Sequence, residues 1–131
     1  MPDPILELSL LPERFTLHRL PPETPVAPHW MTSCQLVSVT LTNDELSILA
    51  PENMAINSAR QEGPWRAFKV AGPLDFALVG ILANLSGILA RAGIPLFALS
   101  TFDTDYLLVN AERCGDAASA LRDAGHLVHL E

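Results

Sequence analysis

The second half of the chain alternates between apolar segments with helical spacing and apolar segments that are continuous. Between Ile81 and Ala92 the apolar residues recur every three or four positions, which predicts an amphipathic helix, and Gly93 follows where a left-handed residue ends a helix. The elements predicted beyond residue 64 are, in order, a strand over 65–70, a helix over 81–92, strands over 94–99 and 106–109, a helix capped by Asn110 and ended by Gly125, and a strand over 126–130. This β-α-β-β-α-β order predicts an α+β fold of the ferredoxin-like type. Pro95 marks the strand over 94–99 as an edge strand, because proline cannot donate to a neighbouring strand.

The first half of the chain consists mainly of predicted strands. Continuous or alternating apolar residues predict strands over 5–10 and 15–20. The clearest hairpin joins the alternating residues 37–42 to a second alternating run over 46–48, with Asn43-Asp44 as its turn. The sequence therefore predicts sheet, with little helix, in this half.

A change of rhythm separates the two halves. Residues 51–63 predict a loop or a single helical turn and carry the candidate boundary. A chain of 131 residues with 49% hydrophobic residues can bury an ordinary core, either as one domain or as two very small domains that share an interface. We place the predicted domains at residues 1–62 and 63–131.

Composition excludes several classes of partner. The net charge of −7 argues against binding to nucleic acid or to an anionic membrane surface. The apolar stretches are all shorter than a membrane span, and Asp3 and Glu7 interrupt any signal-peptide pattern. Two distant cysteines, Cys34 and Cys114, fit neither a disulfide framework nor a metal site. We therefore expect a cytoplasmic protein, and its low charged fraction of 18% makes a subunit interface plausible.

A block of hydroxyls and carboxylates, Ser100-Thr101-Phe102-Asp103-Thr104-Asp105, stands between two apolar strands. Such a block is poor core material, so we expect it at an end of the sheet, in contact with a small polar ligand such as an amino acid. The helix that starts after Gly80 would bind the carboxylate of that ligand through its N–H groups. Asp105 or Asp103 would bind the ammonium, and the threonine hydroxyls would orient the ligand. The alternative is a well-capped hairpin turn without a ligand.

These residues resemble a known family. The run Gly80-Ile81-Leu82-Ala83 and the stretch 93–109 are similar to the ACT domain, and more narrowly to the small tandem-ACT proteins related to CASTOR-type arginine sensors and to aspartokinase regulatory domains. The resemblance covers nearly all of residues 63–131 and the first half more loosely. It implies a ferredoxin-like βαββαβ sandwich with two tandem ACT-like units. The first unit is expected to be degenerate, because prolines between residues 21 and 28 stand where its first helix should be.

The resemblance also implies a function. It indicates an amino-acid-binding regulatory or sensor protein that is not an enzyme, needs no cofactor, forms a homodimer or larger homo-oligomer, and acts in trans on a partner such as a regulated enzyme. The implied ligand-binding residues are Asp75, Phe76, Val79, Gly80, Ile81, Thr101, Phe102, Thr104 and Asp105. Leu78-Val79 replaces an acidic residue that arginine sensors carry just before the helix glycine, so the identity of the amino acid stays open. The alternative function is a pure oligomerisation module that binds no ligand.

Other chemistry is less well supported by the residues. Asp103 and Asp105 lie two positions apart, but no nearby histidine or nucleophile accompanies them for acid–base catalysis. His126 and His129 would point to opposite faces of a strand, which is poor metal geometry, and we expect surface or terminal histidines. Cys114 lies on an apolar helix face and is expected to be a small core residue.

Overall fold

The computed structural model describes residues 4–31, 34–72 and 80–130 of the chain. Within these residues the elements are β1 (Glu7–Leu10), β2 (Phe15–Leu20), β3 (Ser38–Leu41), β4 (Leu46–Pro51), β5 (Arg60–Val70), α1 (Ile81–Arg91), β6 (Leu96–Ser100), β7 (Asp105–Asn110), α2 (Cys114–Asp123) and β8 (Leu127–His129). Short 3-10 helices cover Pro28–Met31 and Ala111–Arg113. Each helix and strand predicted from the pattern occurs, and the largest difference is that β5 begins at Arg60 instead of Trp65.

Residue contacts divide the chain into two compact units. One unit, here the terminal unit, comprises Met1–Pro12 and Arg66–Glu131, and the other, the inner unit, comprises Glu13–Trp65. The division at residues 65 and 66 is close to the predicted boundary after residue 62, whereas the residues up to Pro12 group with the terminal unit. They do so because β1 forms its backbone pairs with β5 and β8.

The terminal unit contains a sheet with the strand order β8-β1-β5-β7-β6. Its elements β5, α1, β6, β7, α2 and β8 confirm the predicted βαββαβ order. The sequence pattern did not indicate that β1 would enter this sheet. Leu8 of β1 is the antiparallel partner of Val70 in β5 and the parallel partner of Val128 in β8. Among the described strands β6 pairs only with β7, so it is an edge strand, as predicted from Pro95.

Alternate strand residues and one face of each helix form the core of the terminal unit. The core residues are Leu8, Leu10, Phe68, Val70, Ile81, Leu85, Ile88, Leu89, Ile94, Leu107, Val109, Cys114, Ala117, Ala118, Leu121 and Val128. The buried face of α1 is the one that the helical spacing predicted, and Cys114 lies on the buried face of α2 as expected. Burial raises the pKa of the Cys114 thiol against the opposing effect of Arg66, so this cysteine is a neutral core residue as expected.

The inner unit contains strands in the order β3-β4-β2-β5, to which β5 contributes its first residues. The predicted hairpin of β3 and β4 is confirmed by antiparallel pairing from Ser38 with Leu49 to Leu41 with Leu46. Thr42 closes its turn, because its hydroxyl oxygen accepts hydrogen bonds from the N–H groups of Asp44 and Glu45. The buried core residues of this unit are Leu20, Trp30, Leu46, Ile48, Ala50 and Ile56.

The burial of His18 in the inner unit predicts that the stability of the protein depends on pH. His18 is buried in β2 with Nδ1 at 2.7 Å from the Ser58 hydroxyl oxygen, and burial lowers the pKa of this histidine below its ordinary value. As the pH falls, the unfolded chain takes up a proton near pH 6.5 while the folded protein still resists protonation. The free energy of unfolding is therefore expected to be highest above that pH and to decrease as the pH falls below it. Urea denaturation at pH 7.5 and 5.5 should show a smaller difference for His18→Gln than for the wild type. The same substitution at the exposed His29 is the control, and an unchanged pH difference in His18→Gln would contradict the expectation.

Candidate functional site

The polar block after β6 forms a tight hairpin turn between β6 and β7. Ser100 at the end of β6 pairs with Asp105 at the start of β7, next to the turn. The Ser100 hydroxyl donates to Oδ1 of Asp105. Thr101 N–H donates to the Thr104 carbonyl over 2.8 Å, and the Thr101 hydroxyl oxygen accepts from Thr104 N–H over 3.3 Å. The block thus has the hydrogen bonds of a well-capped turn, and the Asp105 carboxylate is held in a defined position on it.

Thr104 fastens this turn to the end of β5. Its side chain is buried, and its hydroxyl donates to the backbone carbonyl of Val70, the last residue of β5. The hydroxyl proton is therefore used within the protein. Thr104 holds Asp105 at the carboxyl end of β5, from which the chain continues towards α1.

The start of α1 presents backbone N–H groups that the helix itself does not satisfy. Gly80 occupies the N-cap position in the left-handed conformation, with φ of 79°, and has no side chain that could cap the helix. The first bond of the helix runs from Asn84 N–H to the Gly80 carbonyl over 2.8 Å. No acidic residue occupies the first turn, so the partial positive charge of this helix end is not compensated from within the turn.

A buried histidine connects the start of α1 to the sheet. His126 is 6% exposed, and its Nε2 lies 2.9 Å from Oδ1 of Asn84 in the first turn of α1. The other ring nitrogen, Nδ1, accepts the Leu6 backbone N–H over 3.0 Å. The expectation of a surface or terminal histidine is thus wrong for His126, because β1 and α1 both supply hydrogen-bond partners to its ring. His129 is exposed and pairs with Glu7 over 2.8 Å.

Backbone hydrogen bonds continue this connection as far as the polar turn. Leu127 N–H donates to the Leu6 carbonyl over 2.9 Å, and Ala71 N–H donates to the Glu7 carbonyl over 2.7 Å. Ala71 directly follows Val70, whose carbonyl accepts the Thr104 hydroxyl. The first turn of α1 and the turn between β6 and β7 therefore lie at the same end of the sheet in the terminal unit.

The predicted site residues occupy different positions relative to this end. Asp75, Phe76 and Val79 lie outside the described residues. Ile81 is 8% exposed and packs into the core, so its backbone is the part available to a ligand. Phe102 is 81% exposed at the tip of the turn, beside the exposed Thr101. Asp105 is half-buried.

Sequence reasoning missed the part played by Asn84 and His126. The helical spacing concerns the apolar residues, and the one local sign that Asn84 closes the first turn is its position four residues after Gly80. No periodicity could connect His126 with Leu6, because 120 positions separate them in the chain.

The described residues contain no group of three or more histidine, cysteine, aspartate or glutamate side chains that could hold a metal ion. Asp103 is exposed, and Asp105 is hydrogen-bonded by Ser100. The chemistry that this end of the sheet offers is hydrogen bonding and charge: helix N–H groups for an anion and a carboxylate for a cation.

Comparison with known families decides the classification of the terminal unit. A family model described as the ACT domain matches residues 61–123, which run from β5 through α2. Residues 61–123 of this protein form an ACT domain. The resemblance of the second half of the chain to the ACT domain is therefore confirmed.

Curated relatives are similar over most of this ACT protein. It is 28% identical over 128 residues to a protein of Pongo abelii named cytosolic arginine sensor for mTORC1 subunit 1, and 27% identical over 128 residues to its namesake of Homo sapiens. In both cases the match covers 91% of this chain and 39% of the relative. The chain therefore spans about two-fifths of the length of these relatives.

Solved structures agree with the fold. The protein Atu0741 of Agrobacterium tumefaciens is 35% identical, with a TM-score of 0.87, and the match covers 98% of this chain and 96% of that one. The protein VC0802 of Vibrio cholerae shares the fold with a TM-score of 0.69 at 16% identity, covering 92% of this chain and 91% of that one. No helix in the described part of the ACT protein is long and apolar enough to cross a membrane.

Proposed function

We propose that this ACT protein binds a free amino acid between the start of α1 and the turn that joins β6 to β7, and that it acts as a non-catalytic regulatory sensor in trans. One observation carries the proposal. The N-terminus of α1, where the N-cap residue Gly80 has no side chain, and the carboxylate of Asp105 lie at the same end of one sheet and are connected to it by hydrogen bonds.

The chemistry of a zwitterion matches these two groups. The N–H groups of the first turn of α1, reached over Gly80, would bind the carboxylate of the amino acid. Gly80 has no Cβ, and among the described residues no atom lies within 4 Å of the position that a Cβ would take. A ligand could therefore approach its backbone closely. Asp105 would accept the ammonium through charge-assisted hydrogen bonds, with Thr101 and Phe102 at the rim. By resemblance to the family, Asp75, Phe76 and Val79 complete the site.

The relatives suggest the ligand class without naming the ligand of this chain. The curated relatives are named as arginine sensors. By the family resemblance, however, Leu78-Val79 replaces an acidic residue that arginine sensors carry just before the helix glycine. Without that carboxylate, the site has one fewer partner for a guanidinium group. We therefore propose amino-acid binding in general and leave selectivity to a comparison of amino acids.

We propose a tandem arrangement in which the inner unit is a degenerate ACT-like unit. Its sheet order, β5-β2-β4-β3, equals that of the βαββαβ strands in the terminal unit, β8-β5-β7-β6, apart from the inserted β1. The 3-10 helix Pro28–Met31 stands between β2 and β3, where a complete unit has its first helix. The domain boundary proposed between residues 1–62 and 63–131 lies near the end of the inner unit at Trp65, whereas Met1–Pro12 group with the terminal unit.

We also propose a cytoplasmic protein that forms homodimers or larger homo-oligomers. Neither Cys34 nor Cys114 is in a disulfide, as is usual in a reducing compartment. In the terminal unit Ile5, Phe102 and Leu127 are 71%, 81% and 55% exposed, and large exposed apolar side chains favour association.

The direct test is thermal unfolding in the presence of each of the twenty amino acids at millimolar concentration. A ligand at one hundred times its Kd stabilises the folded state by about 2.7 kcal/mol, which raises the melting temperature of a domain of this size by roughly 10 °C. We expect one amino acid, or a group of similar ones, to give such a shift. No shift with any amino acid would contradict the proposal.

The second candidate function is an oligomerisation module without a ligand. It is favoured by the exposed apolar residues, in particular by Phe102 at the tip of the turn. Native mass spectrometry of the protein as isolated separates the two candidates. A bound mass of an amino acid supports the sensor, whereas oligomers without bound ligand, together with no thermal shift, support the module.

A further inference from the structure

We infer that His126 is a positioning residue of the proposed amino-acid site, because its imidazole sets the place of the first turn of α1 relative to the sheet. The inference rests on the proposed function and concerns the affinity of that same site. His126 would not touch the ligand. It would act through Asn84.

The two hydrogen bonds of the imidazole determine its protonation state. The Leu6 backbone can only donate, so Nδ1, at 3.0 Å from it, must be the unprotonated nitrogen. Nε2 therefore carries the hydrogen and donates it to Oδ1 of Asn84 over 2.9 Å. The buried ring is thus a neutral imidazole with a single tautomer, and each nitrogen has its own partner.

The backbone around His126 is also fixed by hydrogen bonds. His126 N–H donates to the Leu121 carbonyl at the end of α2 over 3.1 Å, and the next residue, Leu127, donates to the Leu6 carbonyl over 2.9 Å. The imidazole is therefore a rigid connection from these fixed backbones to Asn84. Asn84 closes the first turn of α1 through its bond to the Gly80 carbonyl. Because Gly80 supplies no side-chain cap, the position of the N–H groups that would bind a carboxylate depends on this connection.

Two substitutions of His126 test the two hydrogen bonds of its ring separately. In His126→Asn the amide oxygen lies near the former Nδ1 and can accept the Leu6 N–H, but the side chain is too short to reach Asn84. In His126→Gln the amide nitrogen lies near the former Nε2 and can donate to Asn84, but the Leu6 N–H loses its acceptor. The first variant cuts the link to α1, and the second keeps it.

The experiment is isothermal titration calorimetry with the amino acid that gives the largest thermal shift, with melting temperatures measured in parallel. We expect the Kd to rise at least tenfold in His126→Asn and to stay within twofold of the wild type in His126→Gln, even if His126→Gln has the lower melting temperature. Asn84→Ser cuts the same bond from the side of α1 and should also raise the Kd at least tenfold. His129→Asn, at the exposed neighbouring histidine, is the control and should leave the Kd unchanged.

A purely structural role makes different predictions. In that case the Kd would follow the melting temperature, and the two His126 variants would weaken binding equally or not at all. Either result would overturn the inference, and so would an unchanged Kd in Asn84→Ser if a His126 variant fails to fold. A wild-type protein that binds none of the amino acids would instead contradict the proposed function itself.

Discussion

Asp105→Asn is expected to weaken binding of the amino acid at least about 100-fold. The substitution keeps the size of the side chain and an oxygen that can accept the Ser100 hydroxyl, but it removes the negative charge opposite the ammonium. Charge-assisted hydrogen bonds contribute about 1.5–3 kcal/mol each, and 2.7 kcal/mol corresponds to about 100-fold in Kd. Titration calorimetry with the amino acid that stabilises the wild type measures this loss.

Asp103→Asn is the matched control for this prediction. Asp103 lies on the same turn, is exposed, and carries the same charge two positions away. We expect its Kd to stay within about threefold of the wild type, since an exposed charge contributes little. The free energy of unfolding of both variants should lie within about 0.5 kcal/mol of that of the wild type, as is usual for exposed or half-exposed positions. If Asp103→Asn loses affinity and Asp105→Asn does not, Asp105 is not the ammonium partner.

Leu85→Ala is expected to have the largest effect on stability. Leu85 is completely buried in α1, within the core of the terminal unit. Removing its side chain loses buried apolar surface and leaves a cavity, which together cost about 2–5 kcal/mol. The midpoint of urea unfolding should fall accordingly, with little change in the slope of the free energy against urea concentration.

Leu82→Ala provides the comparison on the same helix. Leu82 is only partly buried against the same core, so the identical substitution removes less buried surface. We expect its cost to be less than half that of Leu85→Ala. An equal loss of stability in the two variants would contradict the burial of Leu85 and the partial exposure of Leu82.

Much of the fold was predictable because its signals are local. The buried faces of α1 and α2 follow from apolar residues three and four positions apart, since these lie on one side of a helix. Gly93 and Gly125 end the helices with φ of 73° and 101°, conformations that residues with a Cβ rarely adopt. The hairpin of β3 and β4 follows from alternation interrupted by Asn43-Asp44.

The place of β1 was not predictable. The pattern of residues 5–10 indicates a strand but says nothing about its partners, and Leu8 pairs with Val70 and Val128, far away in the chain. The predicted boundary after residue 62 places β1 in the first half, because a strand pattern carries no information about its partner strands. Strand pairing is decided by which buried faces fit together in three dimensions.

The candidate site shows the same division between local and tertiary information. The sequence alone predicted the helix that starts after Gly80, the polar turn with Asp105 and the resemblance to the ACT family. Each of these is encoded in a short run of residues. Only the tertiary structure decided that these two segments lie at one end of a sheet, and that Thr104 and His126 tie them to it. The physical reason is that hydrogen bonds such as the one between Leu6 and His126, 120 positions apart, form only when folding brings distant backbones together.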